Sequence, residues 1–595
     1  MLRPTFLGFE TQKRALFSAQ KALDVTGSNI GNVDTEGYTR QRVDLFSVEN
    51  FQGGLRYNTK IALAGQGVDM RGVTQVRDVL LDERYRTVSG EANESTTKAD
   101  ILYQVEDVID DIEADTTGFN AVLSKLEAAL QSFSTANADR REMATIAINS
   151  ADKITQIFQN FSKRIDDVSS LTYTKTENSV DRINQIFKQI ASLNKQIVDD
   201  YVASNETYID DDGTYKSNIT YGPLELKDQR NLLLDELAEY GNVEITTNPL
   251  GDITVKFGDT VVVDRVYYDT NGNKVTLDAN GNVPAGVKAT ANYVFGKLSM
   301  FDPSSTNAAE KAPSNLKLYA SEMFTAEEWV NISCDPAKLD SVLGPTGSNE
   351  IMMVGSDERN LTGYGLSTGS LKGLFDMYNG NGSFVASSKY TGECKNGYAG
   401  IPYYKEVVNS LAKAVCEKFN EANGYAVDAS GNGNGRRMFE ITDPTNPAFS
   451  FRVSDDWRKD TMMITRTPDQ KDDAGKTGEE LDNENLHRLL SVFQGEFKYD
   501  SIPSGQTYTL SGYVRKYGED IGEQTQFEYD SAKANTTILE SVGAARDRVM
   551  GVSLDEEGIN MMNFQKWYNA AARMMTTLDE ALNVIINQMG LVGRG

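Results

Sequence analysis

Cysteine and histidine are nearly missing from this 595-residue sequence. The three cysteines, Cys334, Cys394 and Cys416, are odd in number and far apart, and His487 is the lone histidine. No Cys-x-x-Cys pair or His/Cys cluster can therefore form a local metal site, and disulfides are not expected to hold the fold. No apolar run approaches the roughly 20 residues of a membrane span, and Met1 to Gln20 lack the apolar stretch of a cleaved signal peptide. The expectation is a chain that stays inside the cell or leaves it by an uncleaved route. His-Glu-x-x-His, Gly-x-Ser-x-Gly and phosphate-loop sequences are also absent. Basic residues are outnumbered, with 59 Lys plus Arg against 86 Asp plus Glu and a formal charge of -27. That balance disfavours nucleic acid and anionic membranes as partners.

Carboxylates are so frequent that no pair of them stands out as an acid/base couple. The acidic group from Glu106 to Asp115 decorates a helix whose other face holds Ile109 and Ile112, so it reads as a solvated face. Asp269 to Asn273 and Asp278 to Asn282 offer oxygens to calcium, yet glycine stands in the wrong place and no closing glutamate follows. Both read as Asn-Gly turns closing β-hairpins. His487, within Asn485 to Leu489, reads as structural. No catalytic, cofactor or metal residue is nominated, and no enzyme is expected.

Helical periodicity dominates what is there. The first periodic segment, from about Phe9, places Leu16, Ala19, Leu23, Thr26, Ile30 and Val33 at alternating spacings of three and four, the pattern of a coiled-coil seam. Gly31 and Asn32 end it, and Asn32 to Tyr38, with Thr35 and Gly37, reads as a turn. The C-terminal stretch repeats the alternation through Met561, Phe564, Tyr568, Ala571, Met575, Leu578, Leu582, Ile585 and Met589, with no charge in the seam. Ser553 to Glu556 reads as a capping box opening that helix, while Gly558 costs roughly 1 kcal/mol of helix propensity. The methionines 561, 562, 574, 575 and 589 mark either a pliable interface or ordinary core filling. The two seams either pair within one chain or assemble between subunits.

More helices lie between. Leu102 to Ile112, Leu123 to Phe133 and a long stretch including Ile183, Ile190 and Ile197 carry apolar stripes that need partners. Val514 to Ile521 and Ile538 to Val549 fall on one projected seam whose middle, near Gln524 to Asn535, is polar and expected to be less buried. Alternation of period two at Val243, Ile245 and Thr247, a turn, and resumption at Ile253, Val255 and Phe257 predict a β-hairpin. Residues 267–355 are rich in Gly, Asn, Asp and Pro, and strand-like runs at Met438 to Ile441 and Phe449 to Val453 follow a Gly/Asn linker.

A chain this long exceeds what one core serves. The expected fold is mainly α with β-rich outer domains, discontinuous and multidomain, with the terminal helices paired as a coiled coil. Residues 1–60 and 551–595 form the terminal assembly domain, and 61–265 with 361–425 and 508–550 a helical rod domain bearing the hairpin. Residues 266–360 and 426–507 form projecting outer domains.

The run Ala15-Leu16, Ala19-Gln20, Leu23-Asp24-Val25, Asn29-Ile30, Asn32, Thr35-Glu36-Gly37-Tyr38 and Arg40-Gln41 resembles the signature of bacterial flagellar rod, hook and hook-associated proteins. Gly37 to Arg42, Val552 to Glu557, Asn563-Phe564-Gln565 and Met589 to Arg594 narrow the resemblance to the hook-associated protein 1 family, the first junction proteins between hook and filament. Asp228 to Leu237 and Gly369 to Leu374 agree with it. Gly31, where that family usually has alanine, and Gly558, where it has a larger apolar residue, depart from the pattern.

The resemblance implies export through the flagellar type III apparatus without signal cleavage, an extracellular place in the flagellum, and termini that order on assembly. It implies a ring of copies of this chain on the hook tip, with hook protein below, the second junction protein above, and an export chaperone on the C-terminal helix. Physically, apolar seams at both ends need a partner, and a head-to-tail contact generates a tube or helix. The rival readings are another axial protein, namely hook protein or second junction protein, and an adhesin or surface enzyme active in the outer insertions.

Overall fold

The computed structural model describes residues 5–47, 67–113, 118–135, 140–204, 207–209, 215–217, 222–248, 250–269, 274–275, 288–300, 318–321, 323–325, 328, 348–352, 366–382, 398–426, 434–465, 483–499 and 506–584. Among them helix prevails and sheets are the smaller part. The chain opens with α1 (Thr5–Gly31), the strands β1 (Gln41–Ser47) and β2 (Val68–Gln75), and the helices α2 (Val79–Glu113) and α3 (Phe119–Thr135). Then comes α4, a single helix of 65 residues from Arg140 to Ser204. A helix of that length survives in water because its apolar stripe is covered along most of its course.

Beyond α4 lie the small hairpin β3 (Thr207–Ile209) and β4 (Tyr215–Ser217), helix α5 (Leu224–Tyr240), and strands β5 (Val243–Thr247), β6 (Ile253–Phe257) and β7 (Thr260–Asp269). Strands β8 (Lys274–Val275), β9 (Ala289–Phe295), β10 (Leu298–Ser299), β11 (Leu318–Ser321), β12 (Phe324–Thr325) and β13 (Ser348–Met352) follow. Helices α6 (Ser370–Asn379) and α7 (Ile401–Ala422), strands β14 (Phe439–Ile441) and β15 (Phe451–Val453), and helices α8 (Asp455–Lys459), α9 (Asn483–Gln494), α10 (Leu510–Met550) and α11 (Leu554–Asn583) complete the chain.

The period-two alternation at Val243 to Phe257 is the antiparallel pair β5–β6, with Val243 opposite Phe257 and Ile245 opposite Val255. It belongs to a larger antiparallel sheet in the order β12-β9-β7-β6-β5. Position 265, where the rod domain was expected to end, lies inside β7, which pairs with β9 from Val263 through Asp269. Of the two Asn-Gly turns, residues 270–273 and 278–282 lie outside the described residues, although β7 and β8 pair around the first. Ile253, Val255 and Phe257 face inward onto Ile183, Ile186, Phe187 and Ile190 of α4 in one apolar cluster. Two asparagines of α4 tie the strands down: Asn194 donates to the Ile253 carbonyl at 2.8 Å and Asn184 to that of Leu298 at 2.9 Å.

A second cluster joins α2, α3, the first half of α4, α6, α7, α9 and α10. The described part of 426–507 enters it: Phe439, Phe451 and Trp457 are buried there, with Phe439 and Phe451 stacked at 5.1 Å. This region, expected to project, shares its core with the helices, and its two strands have three residues each. His487, read as structural, is exposed on α9, and the buried Cys416 is a free thiol.

The polar middle of α10 is open to solvent on one face, where Phe527 and Tyr529 are exposed, and buried on the other. Thr525, Glu528 and Ala532 are each 8% exposed. Tyr398 donates to Glu528 at 2.9 Å, and Gln524 accepts from Tyr404 at 2.6 Å and donates to the Ala399 carbonyl at 3.1 Å. Buried polar groups are tolerated where each finds a partner. Nearby, Lys98 of α2 meets Asp376 of α6 at 2.8 Å and Glu94 at 2.6 Å, and Lys372 also closes on Asp376.

Gly369, which opens α6, has φ +108, and a Cβ there would lie 2.3 Å from the Tyr240 carbonyl oxygen. We expect Gly369→Ala to cost at least about 2 kcal/mol, from the positive φ and the backbone clash together. A thermal midpoint unchanged from that of the parent chain would contradict this.

Candidate assembly site at the chain termini

Helices α1 and α11 pack against each other, and they run antiparallel. Asn29 meets Glu557 near one end, while a Cβ on Gly8 would touch Leu578 at 3.6 Å near the other. Along α11, Met561, Phe564, Tyr568, Met575, Leu578 and Leu582 are half-buried and Ala571 is 6% exposed. Ile585 and Met589 lie outside the described residues. On α1, Ala19 is buried and Leu16, Leu23 and Ile30 are half-buried, as is Val33 just past the helix end. The fully buried apolar side chains of the pair are small ones, Ala19, Ala22, Val25 and Ala571. The opposite face of α11 leaves Ile559, Met562, Trp567 and Met574 each more than half exposed.

The turn after α1 is built by its own side chains. Asn32 donates to the Ser28 carbonyl at 2.9 Å and accepts from Thr35 at 3.2 Å, and Gly37 takes φ +76 over Leu232 of α5. Tyr38 then donates its hydroxyl to Asn29 Oδ1 at 2.9 Å, and burial raises its pKa above the usual phenol range.

From Thr39 on, the chain enters a polar joint where five elements converge. Thr39 donates from its hydroxyl to Asp228 of α5 at 2.6 Å and from its amide at 3.2 Å. Burial lifts the Asp228 carboxyl above its ordinary pKa, although both Thr39 bonds and Arg77 oppose the shift. The Arg40 amide donates to the Met550 carbonyl, the last of α10, at 2.9 Å, and the Arg40 carbonyl accepts from Val76 at 2.9 Å. The Arg40 guanidinium reaches Glu556 at 2.7 Å and Glu557 at 2.8 Å in the first turn of α11. Asn29 closes the ring, bonding both the amide and the carbonyl of Gln41, at 3.0 and 2.9 Å, and Glu557 at 3.3 Å.

Alongside lies a second ionic set. Arg77 pairs with Asp82 at 3.0 Å, Arg86 with Asp235 at 2.7 Å, and Arg546 of α10 with both Asp82 and Asp235. Of these, Arg77, Asp235 and Arg546 border a cleft of about 520 Å³ between the Glu36 to Tyr38 turn, α5 and the end of α10.

The capping box is half realised. Ser553 accepts from the Glu556 amide, but the Glu556 carboxylate turns to Arg40. Sequence reasoning assigned no role to Asn29, Arg40, Glu557 or Asp228. One signal was available: stepping back from Met561 by four places Glu557 on the α11 seam, and a carboxylate in an apolar seam asks for a partner. Among the described residues no group of His, Cys, Asp and Glu could hold a metal, and no helix is long and apolar enough to cross a membrane.

Residues 102–298 match the family model of the flagellar hook-associated protein FlgK helical domain, and residues 9–39 match that of the flagella basal body rod protein. Flagellar hook-associated protein 1 of Bacillus subtilis (strain 168) is 28% identical, over 99% of this chain and 99% of the relative. Flagellar hook-associated protein 1 of Salmonella typhimurium is 22% identical, over 96% and 98%. The flagellar hook junction protein FlgK from Burkholderia pseudomallei aligns over 60% of this chain and 46% of that one at 16% identity and TM-score 0.37, a likeness too partial to bear on the fold. The segments around Tyr38, Asp228 and Ser553, far apart in sequence, meet at one joint, and the likeness to relatives named flagellar hook-associated protein 1 runs nearly from end to end.

Proposed function

We propose that this chain is a structural subunit of the bacterial flagellum, not an enzyme, which joins hook to filament by polymerising through its terminal helices. The observation that carries the reading is the near end-to-end likeness to relatives named flagellar hook-associated protein 1. The antiparallel pairing of α1 with α11 adds support. In this reading the seam from Met561 to Leu582 forms a coiled coil with α1 inside each subunit, and the pairs of neighbouring copies pack side by side into a ring. Hook protein, the second junction protein and an export chaperone are the proposed partners, and export follows the flagellar type III route without cleavage.

The test is electron microscopy of cells lacking this chain, with flagellin assayed in the medium. Hooks without filaments and flagellin lost to the medium are expected, restored by this chain and not by the second junction protein. Absent hooks would make it a hook or rod component. Intact filaments would sink the reading and turn attention to the outer segments.

A further inference from the structure

We propose that the helical body bends at a polar waist halfway along α4, between the two apolar clusters. Helix α4 feeds both: Ala144 to Ile165 enter one cluster and Val180 to Ala191 the other, and no residue between Ile165 and Val180 is a buried member of either. That interval is rich in hydroxyls. Ser170, Thr172, Thr174, Thr176 and Ser179 each donate to the carbonyl four residues earlier, at 2.8–3.0 Å. Thr172 and Thr176 are buried, and their hydroxyls turn back onto their own helix. A hydroxyl that shares a carbonyl with the helix amide weakens that turn and bends the helix.

The other long helices are polar at the same level. Asn535 of α10 donates to the Ser95 hydroxyl of α2 at 3.1 Å and to the Glu91 carbonyl at 3.4 Å. Asn93, Ser95 and Thr96 of α2 and Thr537 of α10 also bond back to carbonyls four residues earlier. The buried members of the first cluster start at Ile101 on α2 and stop at Ile521 on α10, and the second cluster takes none from either helix. Besides α4, only α6 among the described residues supplies both clusters, with Leu374 and Met377 in one and Leu371, Phe375 and Tyr378 in the other. It packs closely on α2, where a Cβ on Gly373 would lie 2.9 Å from the Glu94 carbonyl oxygen, and its Asp376 holds Lys98. Tyr378 meets Tyr173 of α4 with ring centroids 6.3 Å apart. Helix α6 is therefore the pivot. Interdigitated apolar side chains resist relative motion, whereas a lysine on a flexible stem keeps its carboxylate through a small tilt. Each cluster thus moves as a unit while the helices flex between them. In the proposed ring such a bend lets one copy meet neighbours that are not identically placed. That use rests on the assembly reading, but the bend itself is a property of the single chain.

Spin-label distances on the full chain, with Cys334, Cys394 and Cys416 replaced by alanine, test the waist. Lys153→Cys and Lys188→Cys place labels at exposed positions of α4 on either side of it, about 52 Å apart along a straight helix. Lys153→Cys with Glu417→Cys, both beside the first cluster, is the reference. The distribution across the waist is expected to be about twice as wide as the reference, with a tail toward shorter distances. Thr172→Val with Thr176→Val, which exchanges the hydroxyls for methyls of the same size, is expected to narrow it to the reference width. A distribution across the waist no wider than the reference would overturn the proposal. So would one left equally wide by the valines, because the bend would then lie elsewhere. If the valine variant does not fold, hydrogen exchange on the parent chain decides. Amides of 168–179 should exchange about tenfold faster than those of 150–165 and 183–198, and uniform protection along α4 would refute the waist. None of these failures touches the assembly reading, and intact filaments in cells lacking the chain would leave the bend standing.

Discussion

Cells carrying Ala571→Asp together with Leu578→Asp are expected to make hooks but almost no filaments, and the isolated protein is expected to keep its folded body. Ala571 is the buried centre of the α11 seam, and Leu578 lies over Gly8 at the far end of the pair. A carboxylate at the first position has no cation within the seam to meet it. Leaving it there unpaired costs several kcal/mol, more than a helix pair closed by alanines can offset. The body should not notice, because its two apolar clusters draw nothing from the pair. Filament counts by electron microscopy and exchange protection of α4 read the two halves of this expectation. Normal filament numbers would refute the role of the seam, whereas loss of protection in α4 would show that the pair and the body are not separable.

Within the body, Asp376→Ala is expected to be the most damaging single substitution. Asp376 sits between Lys98 and Lys372 with its side chain 5% exposed, and removing it takes a partner from two cations, of which Lys98 keeps Glu94. Breaking a buried pair on one side costs about 3–5 kcal/mol, and adding Lys98→Met in the same chain should recover part of it. Hydrogen exchange across α2 and α6 measures the loss; protection within twofold of the parent would contradict it.

The same site carries a pH signature. Burial pushes the Asp376 carboxyl upward, but Lys98 and Lys372 outweigh it and hold the pKa below the ordinary carboxylate range. The unfolded chain therefore binds this proton more readily than the folded one. The contribution is present above roughly pH 4, the unfolded value, and is lost as the pH falls through the folded value. An Asp376→Asn variant should lose this part of the acid sensitivity.

How much of this was legible beforehand differs by element. The α11 seam could be read from spacing alone, since an uncharged three-four alternation has few other uses, and its described members make up the less exposed face of the helix. The β5–β6 hairpin was legible because period two leaves no alternative register once one face is buried. Along the middle of α10 the buried face was hidden for the converse reason: Gln524 and Glu528 look like surface residues until Tyr398 and Tyr404, more than a hundred positions away, supply their partners. The fate of 426–507 was likewise hidden, because aromatic residues in short strands do not say which helices they will lie against.

By itself, then, the sequence determined the helical periodicities, the turn around Gly37 and, through its motifs, the likeness to the hook-associated protein 1 family. These are properties of residues close together in the chain, where the helix and strand repeats alone decide which side chains share a face. Only the tertiary structure decided that α1 and α11 pack against each other within one chain, that Glu557 is buried, and that Asn29, Arg40, Asp228 and Glu557 form a single joint. Whether a carboxylate is a solvated surface charge or a buried anchor depends on which cation the fold brings to it, and for Glu557 that cation stands 517 positions away.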